Sequence, residues 1–295
     1  MGQPAGFVEV EKEHPMEALV STEWLAKELG ASDLRIVDAS KFMPDAGRDA
    51  HAEYEAAHIP GAVFMDLAEL TDTGNPIENM APTAEKFASR MQSLGLGDGS
   101  RIVLYDNSPL HSAARAWWLL KLFGAHDVAL LDGGLAKWQA EGRAVDSGDR
   151  KLRHRHFTVW RDATVVRTEE QMLANVQSGT EEVADARPAE RFTGEAGEPR
   201  PGMAAGHIPG SHNLPVGEMF NADGTWKSPE DLEAAFASAG IDLSKPLVTT
   251  CGSGMTASVL AFGAHLIGKK DVAVYDGSWA EWGSDPATPK ETGPA

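Results

Sequence analysis

The chain repeats one series of short motifs, and this duplication constrains its fold more than any other feature. Three motif pairs recur in the same order: His-Ile-Pro-Gly at 58–61 and 207–210, a strand-ending aspartate at Asp38 and Asp185, and an Asp-Gly segment ending in tryptophan at 132–138 and 276–282. The members of each pair lie 144 to 149 residues apart, which is far longer than the unit of a solenoid. The 295 residues therefore form two copies of one domain, each of ordinary domain size.

Short apolar runs alternate with amphipathic runs within each copy. In the first copy this pattern predicts strands near 34–37, 62–64, 101–105 and 127–131, and helices near 22–29, 84–94, 112–123 and 135–141. The alternation is typical of an α/β fold in which a mainly parallel sheet is flanked by helices. We predict an N-terminal domain at 1–145, a polar linker at 146–162 and a C-terminal domain at 163–295.

Cys251 is the only cysteine, and it lies between a β-prone run at 246–250 and a helix-compatible run at 255–266. Gly252 and Gly254 have no Cβ, so the backbone N–H groups of this turn can converge. Amide donors and the positive end of the following helix dipole stabilise a thiolate. Active sites of α/β folds also lie beyond the carboxyl ends of strands. We therefore predict that Cys251 is a nucleophile; the alternative is an inert buried thiol.

The first copy has Asp106 at the position that Cys251 takes in the second, when the strands preceding them are aligned. An aspartate has no sulfur chemistry to offer. We therefore predict that the N-terminal domain is non-catalytic and that it shapes or covers the site of the C-terminal domain.

Two other conspicuous features have structural explanations. His58 and His207 lie in turns, where we expect hydrogen-bonded structural residues instead of catalytic bases. Trp117 and Trp118 lie on a helix that follows a strand, and aromatic residues at such positions are usually part of the core.

Charge and cysteine content exclude several function classes. The chain has 26 Lys and Arg against 44 Asp and Glu, a net charge of −18, so we expect no nucleic-acid partner. A single cysteine forms no intramolecular disulfide. Residues 1–15 lack the basic and apolar regions of a signal peptide, and no run is long enough to span a bilayer. We expect a cytoplasmic protein with no membrane partner, and no His/Cys cluster in the sequence suggests a metal site.

These motifs together resemble those of the tandem-domain rhodanese-like sulfurtransferases, from about Ser21 to Trp282. Within that family, Cys-Arg-Lys-Gly loops are typical of members that use thiosulfate, and Cys-Gly-Ser-Gly loops of members that use 3-mercaptopyruvate. Residues 251–254 read Cys-Gly-Ser-Gly. The resemblance implies an enzyme that takes sulfur from this small-molecule donor through a Cys251 persulfide and releases pyruvate. The acceptor would be a thiol, such as that of thioredoxin, or cyanide. The resemblance also implies that the enzyme needs no metal and no organic cofactor.

The resemblance also implies a set of site residues. Arg191 and Arg200 match the family's substrate-binding arginines, and the forked donors of a guanidinium suit a carboxylate. The other substrate-binding residues that it implies are Gly252, Gly254, Met255 and Thr256. Cys251 and Ser253 would be catalytic, with Ser253 binding the substrate or relaying a proton; turn preference alone explains this serine equally well. Arg187 is expected to support the loop through an ion pair.

One part of the family pattern is missing. Some members carry a histidine and an aspartate that are proposed to form a relay with the loop serine, and this chain has Asn79 and Ala68 there. We therefore do not expect a relay centred on Ser253.

Three alternative functions remain open on the sequence. A thiosulfate:cyanide sulfurtransferase would use the same chemistry, although the loop has no cation at Gly252 or Ser253. A non-enzymatic persulfide carrier would need only the cysteine. A cysteine phosphatase needs a longer loop closed by an arginine, whereas Ala257 and Ser258 follow Thr256 here.

Overall fold

The computed structural model describes residues 16–294, which form two domains with the same succession of elements. The segment 1–15, on which the expectation of no signal peptide rests, lies outside the described residues. The first domain contains β1 (Leu19–Val20), α1 (Thr22–Glu28), β2 (Leu34–Asp38), α2 (Ala50–Ala56), β3 (Val63–Phe64), α3 (Ala84–Ser93), β4 (Arg101–Tyr105), α4 (Ala113–Leu122), β5 (Val128–Leu131) and α5 (Gly134–Ala140). The second contains β6 (Val166–Arg167), α6 (Glu169–Ser178), β7 (Glu182–Asp185), α7 (Ala189–Phe192), β8 (Ser211–Asn213), α8 (Pro229–Ser238), β9 (Leu247–Thr250), α9 (Ala257–Leu266), β10 (Val272–Tyr275) and α10 (Ser278–Trp282).

The two sheets are parallel and have the same strand order. The order is β1-β5-β4-β2-β3 in the first sheet and β6-β10-β9-β7-β8 in the second. Ile36 pairs with Val103 in the first sheet, and Ala184 pairs with Thr249 in the second. Because the strands are parallel, the loops after β2 and β4, and those after β7 and β9, emerge at one edge of each sheet. The predicted fold, two tandem α/β domains of one family type, is confirmed.

All eight helices and strands predicted in the first copy are present, each within one residue of its predicted ends. Thr83 caps α3, since its Oγ1 accepts a hydrogen bond from the N–H of Lys86 at 3.3 Å. The prediction omitted α2, which Asp49 caps through the N–H of Ala52 at 3.0 Å. It also omitted β1, whose two residues are too few for a periodic signal.

The two domains pack against each other through α4 and α9, the helices that follow Asp106 and Cys251. Almost every residue of both helices is buried, because each packs on its own sheet and on the other helix. Trp117 meets Phe262 edge to face, with ring centroids 4.9 Å apart. Trp118 donates from Nε1 to the carbonyl of Val165 across the interface at 3.0 Å. The assignment of these tryptophans to the core is confirmed.

His58 and His207 have the structural role that was predicted. Both are buried, and the Nδ1 of each lies 2.8 Å from a backbone carbonyl, that of Tyr54 and that of Phe192 respectively. Each imidazole also stacks on the side chain of the same residue, Tyr54 or Phe192. These contacts fix the two turns and leave neither ring at the mouth of a cavity with Cys251.

The segment predicted as the linker lies along the first domain. An added Cβ at Gly97 would lie 2.6 Å from the Cβ of Arg155, so this close approach requires a glycine. Phe157 is buried and packs edge to face against Phe87. The domain boundaries at 145 and 162 stay a prediction. No helix within residues 16–294 is long and apolar enough to cross a bilayer.

Candidate active site

Cys251 lies at the base of a cavity of about 740 Å³ between the two domains. It directly follows β9, and only 2% of its surface is exposed. Its thiol is free. The first domain supplies wall residues from the segments 41–44, 68–79 and 109–110, and the second supplies residues 186–191, 199–200 and the cysteine loop. The predicted nucleophile therefore lies where a small ligand can be enclosed.

Ser278, which the sequence analysis did not select, holds the cysteine loop in place. Its Oγ accepts hydrogen bonds from the N–H groups of Cys251 at 3.2 Å and Gly254 at 3.0 Å, and it donates to the carbonyl of Tyr275 at 2.8 Å. The carbonyl of Cys251 accepts from the N–H of Trp279 at 2.9 Å. The first two residues of α10 thus fix the backbone of the cysteine loop.

Gly254 belongs to the cysteine loop but does not line the cavity. Its φ is +74°, and an added Cβ would lie 2.7 Å from the carbonyl oxygen of Asp276. Its own carbonyl accepts from the hydroxyl of Ser258 at 3.1 Å. The structure therefore gives this predicted substrate-binding residue contacts within the protein.

The other predicted loop residues line the cavity beside Cys251: Gly252, Ser253, Met255 and Thr256. The N–H groups of these four residues have no acceptor within the described part of the chain. Unpaired amides at the start of a helix are suited to an anion, here a thiolate, a persulfide or a substrate carboxylate.

Arg191 lies on the cavity wall against the cysteine loop. A Cβ at Gly252 would lie 3.2 Å from its Nη2 atom. Nη2 is also paired with Glu198, whose side chain is buried, while 23% of the Arg191 side chain is exposed. The guanidinium is therefore held at the edge of the loop with one face toward the cavity.

Arg200 reaches the same cavity and connects the two domains. Its Nη2 lies 2.7 Å from Glu78 of the first domain. Both predicted substrate-binding arginines thus lie on the wall of the cavity that contains Cys251.

Arg187 has the supporting role that was predicted for it. The side chain is 1% exposed and contacts Asp185 at 2.6 Å and Glu198 at 2.8 Å. It lies over the ring of Trp279, with 4.4 Å between the guanidinium carbon and the ring centroid. Because Glu198 joins Arg187 to Arg191, this buried pair sets the position of the more exposed arginine.

The first domain places a lysine and an asparagine in the wall opposite the loop. Lys41 donates from Nζ to Oδ1 of Asn79 at 2.6 Å, and both residues line the cavity. Ala68 lines it as well. The two positions at which some family members carry relay groups therefore face this cavity, and neither has an ionisable side chain. Lys41 carried no motif signal in the sequence.

Arg115 is another residue that the sequence analysis did not select. It extends from α4, is 2% exposed, and lies 2.6 Å from Oδ1 of Asp276 in the second domain. It also donates to the carbonyl of Gly254 at 3.3 Å. The other carboxylate oxygen of Asp276 accepts from the N–H of Ala81 at 2.7 Å. One buried ion pair thus connects both domains with the cysteine loop.

Backbone N–H groups that follow Asp106 bind the carboxylate of this residue. The side chain of Asp106 accepts from the N–H of Ser108 at 3.0 Å and from that of Ala113 at 2.7 Å. Burial raises its pKa to about 6. The amides that a ligand would need in this copy are therefore already occupied, which supports the prediction of a non-catalytic first domain.

The arrangement as a whole is suited to nucleophilic attack by a thiolate on a small anionic substrate. The enclosed sulfur lies beside unpaired amides, and guanidinium groups line the same cavity.

Comparisons with known proteins identify the family of the chain. Both halves match the rhodanese-like domain, at residues 21–141 and 168–285. The chain is 44% identical over 271 residues to 3-mercaptopyruvate sulfurtransferase of Rattus norvegicus, a match that covers 90% of this chain and 91% of the relative. It is 42% identical over 274 residues to thiosulfate sulfurtransferase of Cricetulus griseus, with the same two coverages.

A solved structure shows the same architecture. The crystal structure of SseA from Escherichia coli, described as a 3-mercaptopyruvate sulfotransferase with the rhodanese fold, matches with a TM-score of 0.82 and 35% identity. The match covers 90% of this chain and 99% of that one. With two matching domains, two parallel sheets of one topology and a cysteine loop after β9, the chain belongs to the rhodanese family.

Proposed function

We propose that the chain is a 3-mercaptopyruvate sulfurtransferase that works through a persulfide on Cys251. The observation that carries the proposal is the composition of the cysteine loop within the cavity. Gly252 and Ser253 are neutral, and the cationic groups lie on the surrounding walls. This distribution suits a donor whose transferable sulfur is neutral and whose charge lies on a carboxylate at its other end.

The reaction proceeds in two transfers. The Cys251 thiolate attacks the donor sulfur, an S–S bond forms, and the carbon–sulfur bond breaks. Its electron pair passes to the carbon as the enolate of pyruvate, which takes up a proton. An acceptor thiolate then attacks the outer sulfur of the Cys251 persulfide, which forms the acceptor persulfide and restores the thiolate. With cyanide as acceptor the product is thiocyanate.

The site residues have separate tasks in this scheme. Arg191 and Arg200 bind the carboxylate of the donor, which orients its sulfur toward Cys251. The unpaired amides of the loop stabilise the negative charge on sulfur. Ser253 supplies a hydroxyl at the cavity wall that can hydrogen-bond the carbonyl of the donor.

Thiosulfate is the second candidate donor, since relatives named thiosulfate sulfurtransferase match at 41–42% identity. The geometry at Gly252 argues against it. Even a Cβ at this position would lie 3.2 Å from Nη2 of Arg191, so the arginine that thiosulfate-type loops carry there would displace a like charge. The loop thus lacks the cations that a dianionic donor needs.

Steady-state kinetics with both donors test the proposal. We expect a higher kcat/KM for 3-mercaptopyruvate, measured as pyruvate release, than for thiosulfate, measured as thiocyanate formation with cyanide. A preference for thiosulfate would contradict the assignment. The variant Cys251→Ser should keep its fold and lose pyruvate release; an unchanged rate would show that the cysteine is not the nucleophile and would favour another function.

The acceptor and the location are part of the same proposal. A thiol such as that of thioredoxin is the proposed acceptor, and the cytoplasm is the proposed compartment.

A further inference from the structure

The arginines that line the active-site cavity are all paired with carboxylates. Arg187 contacts Asp185 and Glu198, Arg191 contacts Glu198, and Arg200 contacts Glu78. A donor carboxylate that binds Arg191 or Arg200 must therefore share the guanidinium with a carboxylate already present. This sharing lowers the net attraction that either arginine offers to an anion.

Lys41 is the cation of the cavity wall that has a neutral partner. Its Nζ donates to the amide oxygen of Asn79 at 2.6 Å, and no carboxylate in residues 16–294 lies within ion-pair distance of it. The backbone beneath it is fixed, because its N–H donates to Oγ of Ser112 at 3.0 Å and its carbonyl accepts from the hydroxyl of Ser108. A held ammonium without a counter-ion faces the cavity of Cys251.

The duplicated fold explains why this lysine is opposite the arginines. Lys41 lies in the loop after β2, and Arg187 and Arg191 follow the equivalent strand β7. Aspartates Asp38 and Asp185 end these two strands, so the loops correspond in the two copies. Each loop contributes to the wall of one cavity, the first domain from one side and the second from the other.

We infer that Lys41 is a substrate-binding residue, which supplies the unpaired positive charge that attracts the carboxylate of the sulfur donor to the cavity. This inference rests on the proposed function. Asn79 is a positioning residue in it, since the amide oxygen holds the ammonium without neutralising it. The first domain thereby contributes directly to donor recognition, in addition to covering the site.

The charges around Lys41 agree with this role. Burial lowers the pKa of Lys41; nearby Arg115 and Arg200 lower it further, while Asp66 and Glu78 oppose the change. A bound carboxylate beside the ammonium would favour its charged form. Because its pKa is lowered, Lys41 loses its charge at a lower pH than an ordinary lysine does. We therefore expect donor binding to weaken at an alkaline pH at which an ordinary lysine is still charged.

Kinetics of pyruvate release from 3-mercaptopyruvate by the full chain test the inference. In Lys41→Met we expect KM to rise about tenfold with kcat changed less than about threefold, because the carboxylate is bound equally in the ground and transition states. Lys41→Arg should stay within about threefold of the parent in KM. Asn79→Asp, which gives the ammonium a carboxylate partner, should raise KM by about threefold or more. Lys27→Met, on the exposed face of α1, is the control and should leave KM unchanged.

The outcomes separate this inference from the proposed function. If the parent chain releases no pyruvate from 3-mercaptopyruvate, the proposed function fails and the inference fails with it. If the parent is active, an unchanged KM in Lys41→Met or in Asn79→Asp overturns the inference alone. A loss of kcat at constant KM also overturns it, since Lys41 would then act in the chemical step. Circular dichroism confirms folding, and Asn79→Asp tests the same charge if Lys41→Met does not fold.

Discussion

Ser278 occupies a strained backbone position beside the nucleophile. Its φ is +52°, and Gly134, its counterpart in the first copy, has a φ of +55°. A residue with a Cβ is disfavoured in this left-handed region, where the first copy uses glycine. The hydroxyl offsets the strain by accepting from the N–H groups of Cys251 and Gly254. The second copy thus has a strained serine where the first has an unstrained glycine, and the serine hydroxyl fixes the loop that carries the thiol.

Replacing Ser278 with alanine keeps the strain and removes the hydroxyl. Two buried N–H groups then lose their acceptor, so we expect the free energy of unfolding to fall by about 1–3 kcal/mol. We expect kcat/KM for pyruvate release to fall about tenfold or more, because the sulfur is no longer held in line with the donor. Urea unfolding and steady-state kinetics measure the two effects. Ser93→Ala, at an exposed helix end, is the control; equal results for both variants would contradict the role of Ser278.

Asp106 should make stability depend on pH. Burial raises its pKa to about 6, above the value of about 3.9 that an aspartate has in an unfolded chain. The native state therefore binds this proton more tightly, and its contribution to the free energy of unfolding falls as pH rises from about 4 to about 6. Asp106→Asn cannot ionise, so urea unfolding of the variant should lack this part of the decline. A parallel decline in both proteins would show that another group is responsible.

The sequence predicted residues whose chemistry is carried by a motif. Cys251 was predicted to be the nucleophile and Arg187 to support the loop, because each lies just after a strand in a recognisable segment. The ion pairs of Arg187 confirm its role, whereas that of Cys251 stays a prediction. Ser278 and Lys41 were not identified, although the repeat sets Ser278 opposite Gly134. Their roles depend on contacts with residues far along the chain, and no local pattern specifies those contacts.

At the scale of elements, the junction of β9 and α9 depends on a close approach at Gly254. The loop passes so near Asp276 that a Cβ at Gly254 would lie 2.7 Å from its carbonyl oxygen and 3.1 Å from Nη1 of Arg115. Neither atom belongs to a flexible side-chain end that can move away freely, since Arg115 is paired and buried. The glycine therefore sets how closely the loop lies to α10 and to the other domain.

A comparison of Gly254→Ala with Gly268→Ala separates the effect of this close contact from the cost of placing an alanine at a positive φ. Both glycines have a positive φ, +74° and +79°, but an added Cβ at Gly268 meets no atom within 4 Å. We expect Gly268→Ala to lose about 1 kcal/mol of stability and to keep its activity. Gly254→Ala should lose about 1–3 kcal/mol more, as overpacked sites do, and most of its pyruvate release. Equal stability and activity of the two variants would argue against a packed loop.

The prediction of elements succeeded where periodicity and caps are strong, as at α3 with Thr83. It failed where an element is short or is set by its neighbours. β1 has two residues and exists because it pairs with β5, which aligns Leu19 with Leu130. Such edge strands are stabilised by a partner and not by their own composition.

At the scale of the whole molecule, the two domains exchange equivalent hydrogen bonds. Asp276 of the second domain accepts from the N–H of Ala81, and Asp132 of the first accepts from the N–H of Trp226 at 2.9 Å. Arg115 breaks this symmetry. It is the third residue of α4, and the third residue of the equivalent helix α9 is Val259, which has no charge. The added ion pair lies on the side of Cys251. It joins the first domain to the cysteine loop, and within residues 16–294 the loop at Asp106 has no equivalent ion pair.

Arg115→Met should weaken both the interface and the site. Removing one member of a buried ion pair leaves the other charge uncompensated, which costs about 3–5 kcal/mol. Urea unfolding measures this loss, and pyruvate release should fall because Gly254 loses a contact. Arg90→Met, which removes an exposed pair with Glu69, should cost about 0–1 kcal/mol. In the double variant with Asp276→Asn the losses should be less than additive; strict additivity would show that the pair is not coupled.

The depth of Cys251 has a consequence for the proteins that could receive its sulfur. Because only 2% of Cys251 is exposed and both domains wall the cavity around it, we expect a persulfide there to be out of reach of a thiol on a flat or convex protein face. A small free thiol can enter such a cavity whole, whereas we expect a protein to deliver its thiol there only on a narrow projecting loop. In the proposed transfer, we therefore expect the rate of sulfur delivery to depend on the shape of the acceptor as well as on its nucleophilicity.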